Sequence, residues 1–317
     1  MKRILLTLTL LLPAVLSAQE TVDDGLTFGA RATVEADAKL APGLHLSAHE
    51  EARYYFNSED IMRFHTGIGL EYKVLSFLKV GAEYELINRY KYDSEEKANE
   101  WSIRHRGNFF VTGTFKTTDW QFGLKETFRM TYRPGEMNLY QAPRTALALK
   151  SKASVKYLGL GSVVPYAAFE VRNTLNDAAY SGTYVSTATT NKDRYQNEAF
   201  LGYTHAYVNR LRAQLGMTVK FDKHHELDFY LLGDHLKDKS VDTNREGSDN
   251  WKENGLVLKS IDWHVGNMIS AGVGYKWSFS AFGRRRRKVS GCTPDTFSLW
   301  EYAYSPIPFF TASLSWS

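Results

Sequence analysis

Sixteen charged residues carry the strongest chemical signal in this chain: Arg53, Arg63, Glu71, Lys79, Glu83, Glu85, Arg104, Arg106, Lys125, Arg129, Arg133, Glu170, Arg172, Arg212, Lys220 and Asp228. Most fall at alternate positions of segments whose intervening residues are apolar or aromatic. On an extended chain that spacing puts charge on one face and Leu, Val, Phe or Tyr on the other. A charged face that encloses water would line a channel and set its selectivity. The same face closed on itself would interlock acid with base and fill a narrow lumen. Over residues 19–279 acids and bases nearly balance, which favours interlocking.

Isolated catalytic or metal-binding signals are weak beside this pattern. His45 and His49 lie four apart, which on a strand means a shared face but a separation of about 13 Å. They cannot chelate one ion together unaided. His224 and His225 fall in a predicted tight turn and are expected in solvent. Gly67/Gly69 and Gly272/Gly274 lie inside strand patterns and do not read as phosphate loops. Glu50 and Glu126 break the alternation, each between apolar neighbours: Ala48 and Ala52, or Leu124 and Phe128. A bulge turning the carboxylate inward is the expected remedy, with a subunit contact as the other. No catalytic residue, metal or cofactor is expected.

The elements that position these residues are strands. Residues 26–38 set Leu26, Phe28, Ala30, Ala32 and Val34 against Arg31, Glu35 and Asp37. The same period of two runs through 62–73, 78–89, 120–133 and 211–221. Further strands fit at 44–56, 101–116, 145–157, 163–173, 225–236 and 266–279, with a weaker one at 195–207. Lengths of 11–16 residues exceed the usual 5–6 of globular strands. Faces pairing full charges with aromatics also argue against a soluble sandwich and for an antiparallel transmembrane β-barrel. Twelve strands are expected, with ten as the alternative if 26–38 and 195–207 stand apart. Short turns near 41–43, 74–77, 117–119, 158–161 and 222–224 oppose longer polar connections at 93–100, 134–144, 174–193 and 237–255. If all short turns share one end, strand 26–38 places the mature N-terminus outside with the long loops, which a secreted chain should avoid; the twelve-strand count therefore expects some short turns on the outer side.

The ends of the chain point to export. Lys2 and Arg3 precede the apolar run Ile4–Leu16, and Leu16-Ser-Ala18 offers a cleavage site, so residues 1–18 read as a secretory signal peptide. No Cys follows the cleavage site closely, which removes a lipid anchor. The single Cys292 excludes an intrachain disulfide and a cysteine metal cluster. No later segment reaches the roughly 18–20 apolar residues of a helical span. Aromatics at 14% suit interfacial girdles. Arg284 to Arg287 and Lys288 hold the excess of base, so residues 19–279 are nearly neutral and carry no nucleic-acid footprint.

Ser270, Gly272, Tyr275 and Trp277, followed by Phe279, resemble the closing strand of bacterial outer-membrane barrels, whose pattern is polar-x-Gly-x-x-aromatic-x-aromatic. The charges in Glu50-Glu-Ala-Arg53, Gly81-Ala-Glu-Tyr-Glu85, His105-Arg106 and Pro165-Tyr-Ala-Ala-Phe-Glu170 resemble those of a domain-of-unknown-function family of secreted Gram-negative proteins. The resemblance covers about residues 26–279. It implies an outer-membrane barrel and carries no catalytic residues. The expectation is a signal peptide (1–18), a barrel (19–279) and a basic, aromatic extension (280–317), in which Phe310 to Trp316 alternate again. The expected location is the bacterial outer membrane, and the expected partners are outer-membrane lipid, lipopolysaccharide and, during insertion, the barrel-assembly machinery. The expected function is a passive small-solute channel or a plugged barrel. The alternatives are a lipid-active enzyme, for which Ser47 beside His45 and His49 would supply the serine–histidine pair, or a structural, surface-binding barrel.

Overall fold

Alternation of apolar and polar residues is converted into strand after strand. The computed structural model describes residues 21–56, 60–93, 98–134, 140–184, 195–243 and 258–280. The predicted signal peptide and the extension beyond Ser280 lie outside the described residues.

Thirteen strands form: β1 (Thr21–Ala41), β2 (Leu44–Phe56), β3 (Asp60–Lys73), β4 (Leu78–Asp93), β5 (Ala98–Lys116), β6 (Trp120–Tyr132), β7 (Thr145–Tyr157), β8 (Val163–Asp177), β9 (Tyr180–Tyr184), β10 (Tyr195–Phe200), β11 (His205–Lys220), β12 (His225–Thr243) and β13 (Leu258–Ser280). Eleven close a barrel in the order β1-β13-β12-β11-β8-β7-β6-β5-β4-β3-β2, while β9 and β10 pair only with each other. The fold is therefore an all-β barrel with one strand fewer than twelve. The difference lies at 195–207, where β10 folds back on β9 and β11 begins only at His205. An odd count forces one parallel pair. It is the seam, where β1 runs alongside β13 with Val34 opposite Tyr275 and Ala36 opposite Trp277. All other barrel pairs are antiparallel.

The short connections after β1, β3, β5, β7 and β11 share one end of the barrel, as their alternation in chain order requires. The long connections share the other end. The described chain enters at the loop end with Thr21 and leaves at the turn end with Ser280. At the turn after β11, the Asp222 carboxylate accepts the N–H groups of His224 and His225 at 2.6 and 2.8 Å. Those bonds stabilise its charged form and hold its pKa below the usual range. The two histidines are not simply solvated: His224 Nδ1 lies 2.6 Å from the Ser278 carbonyl oxygen, and His225 Nδ1 2.6 Å from the Tyr275 hydroxyl.

Outside, the barrel presents a bare apolar band that includes Phe28, Val34, Ile68, Phe109, Leu124, Leu215, Leu231 and Ile269. Glu50 and Glu126 stay on this outer face. The expected bulges do not form, because the ladders run unbroken through Val34–Glu50–Thr66 and Val111–Glu126–Ser151. Glu126 is instead matched by a neighbour, accepting a 2.6 Å hydrogen bond from the Ser151 hydroxyl.

At the loop end β12 and β13 continue past the barrel as a ribbon. There the outward face is no longer bare. Val241 and Leu258 are buried with Ala178, and Tyr180, Phe200, Tyr203 and Ile261 pack around them. Phe200 meets Tyr140, Tyr180 and Tyr203 at ring distances of 5.1–5.6 Å. Tyr180 donates its hydroxyl to the Tyr140 carbonyl at 2.7 Å. This small apolar core, here called the cap, is built from the connections around β9 and β10.

Candidate functional site

Because alternate residues of every barrel strand point inward, the interior is assembled from the polar half of each pattern. Near the middle of the strands these side chains meet as a belt of ion pairs. Lys150 of β7 lies 3.1 Å from Glu170 of β8, which also pairs with Arg210 of β11. Arg210 and Arg212 converge on Asp234 of β12, Arg212 donating two bonds of 2.6 and 2.8 Å. Arg31 of β1 lies 3.7 Å from both Asp234 and Glu51 of β2, and Glu51 pairs with Arg53.

A second run continues around the wall. His65 Nδ1 of β3 lies 3.2 Å from Glu85 of β4, and Arg106 of β5 donates to the same carboxylate at 2.9 Å. Asn108 donates to Glu83 and Glu85 at 3.2 and 2.7 Å and accepts from Arg129 of β6 at 3.0 Å. Ten of the eleven barrel strands contribute to the two runs. The β13 position is taken by the buried Met268 and Ser270. Side chains in the belt are covered: Asp234 is 0%, Arg31 3% and Glu170 5% exposed. They fill the lumen at this level.

Towards the turn end the filling opens into a cavity of about 530 Å³. Lys125, Lys152, Ser154 and Lys156 line it from β6 and β7; Tyr166, Gln214, Asp228 and Tyr230 continue the lining along the adjoining strands β8, β11 and β12. The Tyr230 ring lies over Gly272, where a Cβ would collide with it, so glycine lets the ring lie flat along the wall. Tyr166 donates to Asp228 at 2.8 Å and accepts from Gln214 at 2.9 Å. Nearer the rim Lys79 pairs with Glu71, and Lys276 with Glu35, both at 2.6 Å.

The sixteen charged residues singled out above lie on this inward face. Arg53, Glu83, Glu85, Arg106, Arg129, Glu170 and Arg212 join the belt. Lys125 and Asp228 line the cavity; Glu71, Lys79 and Lys220 sit at its rim. Arg63, Arg104, Arg133 and Arg172 lie on the loop side of the belt, where Arg63 covers the Tyr55 ring and Arg172 donates to Asn209 at 2.7 Å. Gly272 faces inward, and Tyr275 and Trp277 face outward on the seam strand with Phe279, whose ring stacks on Trp277. Belt members outside the sixteen are Arg31, Glu51, His65, Asn108, Lys150, Arg210 and Asp234. Their signal was available, since each sits two positions from a flagged residue or belongs to the same alternating face.

Two histidine and serine neighbourhoods complete the inner face. His49 does not meet His45, which instead pairs with Asp37 at 3.0 Å. It converges with Glu83 and Glu85, the three offering ligand atoms within 4.8 Å of one another. Glu85 there is already engaged by His65, Arg106 and Asn108. Ser47 faces the lumen, and its hydroxyl points to the Gly69 carbonyl at 3.5 Å, not to a histidine.

Comparison with known proteins matches residues 29–245 to a family model described as protein of unknown function (DUF2490). The match runs from within β1 to just beyond β12 and so stops before the seam strand, short of the range expected from sequence. No curated protein matches the chain.

Proposed function

This chain belongs to the DUF2490 family, proteins of unknown function, and from that premise we propose that it is an integral outer-membrane barrel held shut by its ion-pair belt. It acts as a plugged barrel with a solute-sized pocket, not as a steadily open pore. The burial of the belt carries this reading. A water-filled channel would wet Asp234 and Arg31, whose side chains are 0% and 3% exposed. The bare apolar band supports a lipid environment, because a closed barrel satisfies its backbone internally and can expose apolar side chains to hydrocarbon. In this reading the turn end faces the periplasm and the cap faces outward, towards lipopolysaccharide. The aromatic seam strand β13 is the surface read by the assembly machinery.

Planar-bilayer recording of the purified wild-type protein tests the function. The expected trace shows no steady conductance; a steady ohmic current of porin size would overturn the closed lumen. Fractionation tests the location: the protein should partition with outer membranes and migrate differently before and after heating. Recovery as a soluble periplasmic species would overturn the membrane assignment.

A further inference from the structure

We propose that the cavity below the belt is a binding site for an oxyanion, a phosphate or carboxylate carried on a small hydroxyl-bearing solute, held by Lys125, Lys152 and Lys156. The inference deepens the reading of the lumen as closed, and its test separates the two. Lys125 and Lys152 are direct cross-strand partners in the β6–β7 ladder. Like charges placed opposite each other destabilise a sheet. In the belt such crowding is offset by carboxylates; in the cavity it is not.

Among the described residues no carboxylate forms an ion pair with any of the three lysines. Lys125 Nζ lies 3.9 Å from the Phe110 ring centre, Lys152 donates to the Gln214 side-chain carbonyl at 3.3 Å, and Lys156 lies 5.8 Å from the Tyr166 ring. These are weak acceptors for ammonium groups in a confined space. Two acids of the cavity are paired with other cations: Glu35 holds Lys276, and Glu226 lies 3.8 Å from Lys220. Asp228 accepts from the neutral hydroxyls of Tyr166 and Thr218 at 2.8 and 3.0 Å and keeps its charge. The lining lysines Lys125, Lys152, Lys156 and Lys276 still outnumber its acids Glu35, Glu226 and Asp228, an excess of positive charge that an external anion would balance.

Space and shape agree. A volume of about 530 Å³ lies within the usual range for small-molecule sites. Gly123, opposite Ser154 in the ladder and two residues before Lys125, leaves bare backbone beside the lysines. On the adjoining strands β8 and β11 the Tyr166 hydroxyl and Gln214 are fixed in a hydrogen-bond chain, suited to solute hydroxyls. Charge selects the head of the ligand and the neutral wall its body.

Titration calorimetry of the full-length protein in detergent, with glucose 6-phosphate, inorganic phosphate, dihexanoyl phosphatidic acid and glucose as probes, tests this. A phosphate-bearing probe should bind and glucose should not. Binding of the sugar phosphate assigns the site to free solutes, whereas binding of the phosphatidic acid alone assigns it to a lipid headgroup. Lys152→Gln should weaken binding about tenfold or more by removing a charge-assisted hydrogen bond. The same change should raise the melting temperature of the ligand-free protein by relieving repulsion from Lys125. Lys79→Gln, at the rim, should leave binding unchanged. Failure of every anionic probe to bind the wild type, or a Lys152→Gln protein that is less stable and binds normally, would overturn the site. Conductance by a wild type that still binds phosphate would remove the closed lumen and leave the site standing.

Discussion

The interior of the barrel and the interior of the cap share strands β12 and β13 and are chemically opposite. In the barrel Asp234 of β12 points inward and is buried among Arg31, Arg210 and Arg212. Seven residues along, Val241 of the same strand is buried among Ala178, Leu258 and aromatic rings. The outward face of β12 explains the reversal. At Phe229 and Leu231 that face is bare and apolar; at Val241 it is covered by the chain itself. Apolar surface can be left bare where the surroundings are hydrocarbon, and must be buried where they are water. The change falls between Leu231 and Val241, where His235 faces Asn267 at 3.0 Å and the Lys237 ammonium lies 4.3 Å from the Trp263 ring centre. A tryptophan and a lysine at such a level are what a membrane–water interface selects. In the proposed membrane setting the apolar half of each barrel strand meets lipid, which leaves the polar half to fill the inside.

Removing charge from the barrel interior should have the largest effect. Asp234→Ala leaves three guanidinium groups without their shared carboxylate. Breaking a buried ion pair in this way costs about 3–5 kcal/mol, measurable as a lower urea midpoint of the folded barrel in lipid. A loss under about 1 kcal/mol would mean that the belt is wet. Next comes the lipid-facing stretch. Leu231→Arg should cost about 2–4 kcal/mol if Leu231 meets the hydrocarbon near the midplane. A neutral outcome would place that stretch in water and undo the comparison. Leu258→Ala, in the cap, should cost about 2 kcal/mol or more. That loss should be local: faster amide exchange in the cap, with heat-modifiable migration of the barrel retained. Loss of the barrel together with the cap would show that the two cores are one cooperative unit.

How much of this could be read from sequence follows from the same physics. Strand β7 at 145–157 and strand β2 at 44–56 have the boundaries the alternation predicts, because each has the barrel's outer surface on one face and the lumen on the other. β12 and β13 run well beyond the predicted 225–236 and 266–279. Beyond the barrel the ribbon is partly covered by the cap, so the period of two fades at Lys237 to Ser240. The 195–207 segment departs from the prediction for that reason as well: Phe200 and Tyr203 serve a cap core, not the bare outer face of the barrel. Inward charges were legible as a face, but not their partners. Arg31 meets Asp234 across the seam, 203 positions away in the chain, and only the closed order of strands brings them together. Glu50 and Glu126 were legible as exceptions, though the sequence could not say that a hydroxyl on the next strand would serve Glu126 in place of a bulge.

The smallest effect expected is a pH response confined to the cap. His205 opens β11 at the loop end, its ring stacked on Tyr207 at 5.4 Å and edge-on to Trp263 at 5.9 Å. Its Nδ1 lies 3.1 Å from the Lys239 ammonium, which is also 3.5 Å from Asp177, and Lys237 adds a further positive charge nearby. Partial burial, reinforced by Lys239, holds the His205 pKa below its ordinary value, with Asp177 opposing. The sign follows from proton binding. An open cap binds a proton at about pH 6.5, the value of a free imidazole, while the closed cap binds it only at lower pH. Closure is therefore fully stable above that range and weakens as pH falls through about 6.5 towards the depressed value. One proton sets a ceiling of about tenfold in the opening equilibrium per pH unit. The amides to follow are Ala179 and Leu201, which donate to the carbonyls of Gly202 and Ala179 at 2.9 and 2.8 Å. After correction for the intrinsic pH dependence of exchange, both should open more readily at pH 5.5 than at pH 7.5. His205→Gln, which keeps an acceptor for Lys239 and cannot titrate in this range, should flatten the difference. An unchanged pH response in that variant would assign the effect to another group and leave His205 a purely structural part of the cap.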